Sequence, residues 1–210
     1  MKVEDFESAM NVMFWGVVYT TLAVLPHMLE RKEGRIVNIT SIGGKVAVPH
    51  LLPYACSKFA AVAFSEGLRA ELKGEGVKVT TIAPGLMRTG SFRQAWFKGD
   101  AEREAVWFSL GATLPGPSMS AARAARQIVA ATTRGQAEKI LSMPAKILAL
   151  SHGLFPGATA DLLGYINRWM LPKGRNERRV RGREVRSLDT FPMKTLTTLG
   201  RHGEVEYHQT

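Results

Sequence analysis

Two short β-branched runs, Arg35-Ile-Val-Asn-Ile-Thr40 and Val77-Lys-Val-Thr-Thr-Ile82, stand either side of one long helical segment, and this spacing constrains the fold more than any other feature. Runs rich in Val, Ile and Thr suit a pleated, buried strand. Residues 52–74 between them crowd Ala55, Ser57, Ala60, Ala61 and Ala63 into one stretch and stop at Gly74 and Gly76. Small side chains of that kind let a helix approach a sheet or another helix closely. Residues 4–30 also read as one long helix, with Phe6, Met10, Met13 and Val17 near helical spacing and Pro26 near the end. Apolar character on nearly all sides after residue 12 predicts burial on several sides. Helix, strand, helix, strand with short connections is the rhythm of an α/β fold, a parallel sheet with crossover helices.

The pattern continues more weakly. Residues 91–110 read as an amphipathic helix rich in aromatics, and Leu114-Pro-Gly-Pro117 breaks the chain. Residues 119–134 form a helix with Ser120 as N-cap and Gly135 as its stop, and Lys139-Ile-Leu-Ser142 is a third short strand. Residues 144–171 give two apolar helical pieces split at Pro156-Gly157; after Pro172 the pattern decays. The chain therefore divides into 1–142, an apolar helical extension 143–172 and a basic tail 173–210.

Composition narrows the function classes. Of 210 residues, 45% are hydrophobic and 22% charged, enough for a real core. The single cysteine, Cys56, excludes an internal disulfide framework and points to a reducing, cytoplasmic compartment. The five histidines are scattered, so no zinc site is expected. Acidic residues precede the first apolar stretch, which argues against a signal peptide, and no apolar run reaches the roughly 18–20 residues of a membrane span. The net charge of +10, from 28 Lys and Arg against 18 Asp and Glu, favours anionic partners. Much of it sits in Lys173-Gly-Arg-Asn-Glu-Arg-Arg-Val-Arg-Gly-Arg-Glu184, which carries no interleaved aromatics; nucleic acid is not the expected partner.

The chemistry lies in Ser41, Tyr54 and Lys58. Four residues apart on a helix, Tyr54 and Lys58 share a face. Ser41 follows a parallel strand, where open α/β sheets bind ligands. A free phenol has a pKa of about 10, too high for a base near neutrality. One cation at ~5 Å favours the phenolate by on the order of 3 kcal/mol at intermediate dielectric. Tyr54 can then exchange a proton with a carbonyl or alcohol oxygen that Ser41 holds.

Through FESAMNVMFWGVVYTTLAVLPHM, GRIVNITSIGG, YACSKFAAVAFSEGLRAEL, VKVTTIAPGLMRT and AARAARQIVAATTRG, in order over about residues 4–142, the chain resembles the short-chain dehydrogenase/reductase family. The resemblance implies a Rossmann-type fold and NAD- or NADP-dependent redox chemistry on an alcohol or carbonyl. It implies Tyr54 as general acid/base and Lys58 as the lysine that lowers its pKa and binds the nicotinamide ribose. Ser41 matches the substrate-orienting serine, and Asn11 the asparagine whose backbone holds a relay water. Pro84, Gly85 and Thr89 match the PGxxxT loop at the nicotinamide end, with Met87 where the family often has Val or Ile. Dimers or tetramers through helices matching 4–30 and 52–74 are also implied. Asn38 is expected to be structural.

The family's TGxxxGxG turn, which binds pyrophosphate at a helix N-terminus, has no counterpart here, and Gly43-Gly44 is no substitute. The family pattern places about 80–90 residues ahead of this chain's first helix, at about 30 for each βαβ unit. The expectation is an N-terminally truncated domain, marginally stable, with about three strands and an exposed parallel edge at 35–40. A fragment of an ordinary dehydrogenase, an inactive truncated paralogue acting as a binding or scaffolding partner, and a chain completed by another polypeptide all fit this pattern. The extension suits either a lid on a substrate pocket or, with the basic run through 145–186, a peripheral contact with an anionic membrane. It also suits a hydrophobic, lipid- or steroid-like substrate.

Overall fold

The computed structural model describes residues 1–171, 173–174 and 178–207. Pro172, at the expected end of the extension, Arg175, Asn176 and Glu177 of the basic run, and His208, Gln209 and Thr210 lie outside the described residues. Helix α1 (Val3–Met10) passes through a π-turn at Asn11–Trp15 into α2 (Gly16–Glu30). There follow β1 (Gly34–Ile39), a 3-10 turn at Ile42–Gly44, α3 (Leu52–Glu71), β2 (Val77–Pro84), β3 (Leu86–Arg88), α4 (Ser91–Gln94), β4 (Trp96–Phe97) and α5 (Ala101–Thr113). The rest comprises β5 (Ser118–Ser120), α6 (Ala121–Thr133), β6 (Glu138–Leu141), α7 (Met143–Leu154), α8 (Pro156–Trp169), β7 (Val180–Arg181), α9 (Phe191–Leu196) and α10 (Thr198–Glu206). The chain forms two compact units, residues 1–84 with 125–160, and residues 85–124 with 161–210.

The first unit is built on a parallel three-stranded sheet in the order β1-β2-β6. β1 and β2 are the strands expected from the two β-branched runs, and β6 falls on the third short strand expected at 139–142. β2 is central and buried along most of its length, as a parallel strand covered on both faces must be. β1 has no strand on its outer side among the described residues, and Ile39 is 44% exposed there. Ile36, Leu68, Leu72, Val77 and Val79 form the core, with Leu25, Met28, Leu29 and Phe64 packed against it. Each such large side chain contributes roughly 1.5–3 kcal/mol by leaving water.

A buried polar knot ties the sheet to α3. Asn38 Nδ2 donates to Ser65 Oγ at 3.0 Å, and Thr81 Oγ1 bonds the same Ser65 oxygen at 2.7 Å. Asn38 is thus structural, as expected. Arg69 adds a clamp, donating to the carbonyls of Val79 at 2.5 Å and Gly135 at 3.2 Å.

The first long helix departs from its expected burial. Only Ala9, Val18 and Thr21 are buried, while Val12, Tyr19 and Leu22 stand well exposed. One face of the helix packs on α3 and β1; an all-round apolar sequence does not say how many faces find neighbours. The continuous helix Val3–Glu30, 28 residues long and holding an 18-residue window of mean hydropathy 1.5, is also long and apolar enough to cross a membrane by length and composition, against the expectation that no apolar run reaches a membrane span.

In the second unit the helix expected over 91–110 is broken. Ala95 turns to extended backbone, Gly99 takes a φ of +81°, and Asp100 caps α5 by accepting the Arg103 N–H. Nor is the basic tail featureless where it is described. Val185, Leu188 and Met193 bury against Phe92 and Ala105, and β7 pairs antiparallel with β4. Glu102 accepts the N–H groups of Arg186 at 3.3 Å and Ser187 at 2.9 Å, and the Ser187 hydroxyl bond holds its carboxyl below the usual range. Short turns separate these apolar residues, so no periodicity announced them. Leu188→Ala should cost about 2–5 kcal/mol in urea unfolding; an unshifted transition would return 178–207 to a loose tail.

Candidate active site

β1 ends at Ile39, and the next residues build the site. Both the N–H and the hydroxyl of Thr40 bond the Ile82 carbonyl at 2.7 Å, which extends the strand pairing by one residue. Ser41 is extended and nearly buried, and its Oγ accepts the Gly43 N–H at 3.0 Å, capping the 3-10 turn. That bond fixes the serine hydroxyl at the C-terminal end of the sheet.

Helix α3 opens with Pro53 in its first turn, where a missing N–H is harmless. Tyr54 and Lys58 then follow on one face. The Ser41 hydroxyl neighbours the Tyr54 phenol closely enough to favour its ionised form. Lys58 Nζ donates to the Ile39 carbonyl at 3.3 Å and sits 5.9 Å from the centroid of the Tyr54 ring. The structure therefore brings together the three residues that spacing alone had linked.

The electrostatics differ from the expectation. Burial pushes the Tyr54 phenol above its ordinary value, and the Ser41 hydroxyl offsets part of this. Burial pulls the Lys58 ammonium below its ordinary value. The lysine lies over the ring and on a backbone carbonyl, not against the phenol oxygen, so it does not make Tyr54 a phenolate here.

Asn11 opens the π-turn between α1 and α2. Such turns widen a helix by one residue and shift its hydrogen bonds. The turn packs on α3: Ser57, fully buried, donates to the Tyr54 carbonyl at 2.7 Å and lies 3.7 Å from Met13 Sδ. Asn11 thus belongs to a segment that touches α3 one residue from Lys58. Pro84 is the last residue of β2, opposite Leu141 of β6. Gly85, Met87 and Thr89 belong to the second unit. There Met87 pairs with Met119, and the Thr89 hydroxyl bonds Ser91 Oγ at 3.0 Å.

Two residues of the site were not singled out from sequence. A Cβ on Gly44 would lie 2.5 Å from the Lys58 carbonyl oxygen, so this glycine lets the loop meet the backbone of α3. Lys45 beside it reaches Glu66 of α3 at 2.5 Å and Glu138 of β6 at 2.7 Å. Burial alone would lower the Lys45 pKa, but those carboxylates hold it above its usual value. The signal was present as a glycine pair followed by lysine, directly after the serine and facing a helix of small residues.

An ammonium carries three N–H donors. Lys58 gives one to Ile39, which leaves donors for ribose hydroxyls. The nicotinamide end of a dinucleotide thus has a fitting donor; the pyrophosphate end has no glycine-rich turn within the 210 residues.

Comparison with known proteins places the chain among short-chain dehydrogenases by sequence and fold. The family model described as short chain dehydrogenase matches residues 1–98. The chain is 37% identical over 149 residues to the putative oxidoreductase SadH of Mycobacterium tuberculosis, covering 69% of this chain and 52% of that one. It is 39% identical over 92 residues to 17-beta-hydroxysteroid dehydrogenase 13 of Homo sapiens, covering 42% of this chain and 31% of that one. Among solved structures, a short-chain dehydrogenase of Streptomyces avermitilis matches with TM-score 0.60 and 26% identity over 80% of this chain and 64% of that one. A short chain dehydrogenase of Burkholderia cenocepacia in complex with NADP matches with TM-score 0.57 and 25% identity over 81% of this chain and 61% of that one. The chain spans about half the length of the Mycobacterium protein, 52%, and less than a third of the human one, 31%.

Two predictions follow from the contacts at Ser41 and Gly44. A hydrogen bond to the phenolate favours the charged form, so Ser41→Ala should raise the Tyr54 pKa further above 10.0. Phenolate absorbance, corrected with Tyr54→Phe, reads the shift, and a fall would contradict the geometry. Gly44→Ala should cost about 1–3 kcal/mol of stability, seen in urea unfolding, because the new methyl meets backbone rather than a movable side chain.

Proposed function

We propose that this chain, a member of the short-chain dehydrogenase/reductase family, carries the proton-handling half of an NAD- or NADP-dependent interconversion of an alcohol and a carbonyl. The observation that carries the reading is the convergence of Ser41, the Tyr54 phenol and the Lys58 ammonium at the end of a parallel strand. Ser41 holds the substrate oxygen. Tyr54 gives that oxygen a proton in reduction and takes it in oxidation. Lys58 binds ribose hydroxyls and steadies the phenolate as it forms. Asn11, through its backbone carbonyl, holds a water that returns the proton to solvent. Pro84, Gly85, Met87 and Thr89 bind the nicotinamide end. The nicotinamide, when bound, supplies or accepts the hydride.

The raised pKa keeps the half-buried Tyr54 phenol protonated, as the acid role requires, but makes it a weaker acid; both the acid and the base role gain from positive charge nearby. The substrate class favoured is a hydrophobic, lipid- or steroid-like alcohol or ketone, in keeping with the name of the human relative. A cytoplasmic location fits the free, exposed Cys56 thiol. The exposed side chains Val12, Trp15, Tyr19 and Leu22, with Phe59 on α3, favour a homo-oligomer through these helices.

A second reading, an inactive paralogue that binds or scaffolds a partner, is favoured by the unpaired outer edge of β1 among the described residues.

Tyr54→Phe should lower turnover by about 10²–10⁴-fold in a preparation that binds nicotinamide cofactor, with cofactor affinity unchanged; undiminished turnover would sink the assignment. The 210 residues alone should bind NAD(H) or NADP(H) more weakly than micromolar, and micromolar titration would refute that.

A further inference from the structure

Helix α7 presents its faces in the reverse of the order a soluble core demands. Its inward side is Ala145, Leu148, Ala149 and His152, buried or half-buried, two of them alanines. Its outward side carries Met143, Ile147, Leu150 and Leu154, each 60–65% exposed. Steps of four, three and four residues put these on one stripe. Phe155, just past the helix, is 65% exposed as well. A helix that covers a core buries its strongest apolar stripe; this one leaves it outside.

Charge identifies the occupant. Between Glu138 and Asp161 there is no acidic residue, while Lys139 and Lys146 lie within that stretch. We propose that this face of α7 docks on an anionic lipid bilayer, with the helix in the plane of the headgroups. The large apolar side chains enter the acyl boundary and Lys146 meets the lipid phosphates. A second copy of the chain fits less well, since pairing two such faces brings lysines together with no acid in the segment to answer them.

The next residues repeat the composition. Within the second unit, Leu162, Tyr165 and Trp169 occupy one stripe of α8 at 59%, 66% and 75% exposure. The Arg168 guanidinium lies 5.5 Å from the centroid of the Trp169 ring. Tyr, Trp and a neighbouring cation are the side chains that settle at a membrane–water boundary. A lid closed on a pocket would bury these residues.

The test is co-sedimentation of the full chain with vesicles of phosphatidylcholine alone and of phosphatidylcholine mixed with phosphatidylserine. Binding should rise about tenfold or more with phosphatidylserine and fall at high salt. It should drop about tenfold in Ile147→Glu/Leu150→Glu, whose positions are exposed and whose fold is checked by its urea midpoint. Lys146→Glu, which removes no apolar area, should lose the phosphatidylserine preference alone. Absence of sedimentation with either vesicle overturns the proposal. So does undiminished binding by Ile147→Glu/Leu150→Glu, which would assign the contact to another surface such as the Val12–Leu22 stripe. A parent chain that ignores vesicles but is dimeric in light scattering, with a monomeric double variant, would assign the face to a second copy.

Discussion

The close approach of α3 to the end of β1 is the constraint from which the candidate site follows. Gly44 meets the Lys58 carbonyl with no room for a methyl group, and the Asn38–Ser65–Thr81 knot holds the same helix to the two strands. Lys45 adds ion pairs to α3 and to β6. These contacts fix the height and rotation of α3 against the sheet. Tyr54 and Lys58 inherit their positions from that docking, and Ser41 inherits its own from the strand end and the Gly43 N–H. A buried knot of this kind is costly if broken, because each partner would be left dry and unpaired.

Docking this tight also sets the electrostatics. It removes Tyr54 and Lys58 partly from water, so each is pushed toward its neutral form: the phenol upward, the ammonium downward. For stability the two act in opposite directions at high pH. The raised phenol contributes stability below its unfolded value, near 10.0, that is lost as pH climbs through the folded value. The lowered ammonium costs stability below its folded value, and that cost is relieved as pH approaches 10.5. Their window is therefore alkaline, and neither accounts for acid sensitivity.

Local pattern carried the first unit well. The two β-branched runs marked β1 and β2, the short apolar stretch at 139–142 marked β6, and the four-residue spacing of Tyr54 and Lys58 on a small-residue helix outlined the site. The π-turn at Asn11–Trp15 was not legible, because a one-residue widening leaves the apolar pattern of a helix intact. Lys45 escaped notice because its partners, Glu66 and Glu138, lie 21 and 93 residues away in sequence. The second unit was read least well. Its core draws on Phe92, Ala105, Val185, Leu188 and Met193, residues brought together by short turns and by packing across long sequence separations. Periodicity cannot report contacts of that kind, and the surrounding arginines masked the apolar residues between them.

Helix α6, which runs from the end of the second unit's first segment into the first unit, supplies a comparison for the orientation of α7. In α6, Ala124 and Ala131 are buried with Ile128 half-buried between them, while Arg123 and Arg126 are exposed. That helix turns small and apolar residues inward and its arginines outward, with Val129 alone among its large apolar side chains exposed, at 62%. α7 follows β6 by two residues and uses a comparable stock of alanines on its inner face, yet turns Met143, Ile147, Leu150 and Leu154 outward. Scarcity of polar residues does not explain this, since Lys146 and Ser151 were available to either face. The position of the alanines does: the packing surface accepts small side chains at that spacing, and the larger ones take what remains. An apolar stripe left outside by that constraint, in a segment with lysines and no acid, is a surface whose chemistry calls for an apolar partner rimmed with negative charge.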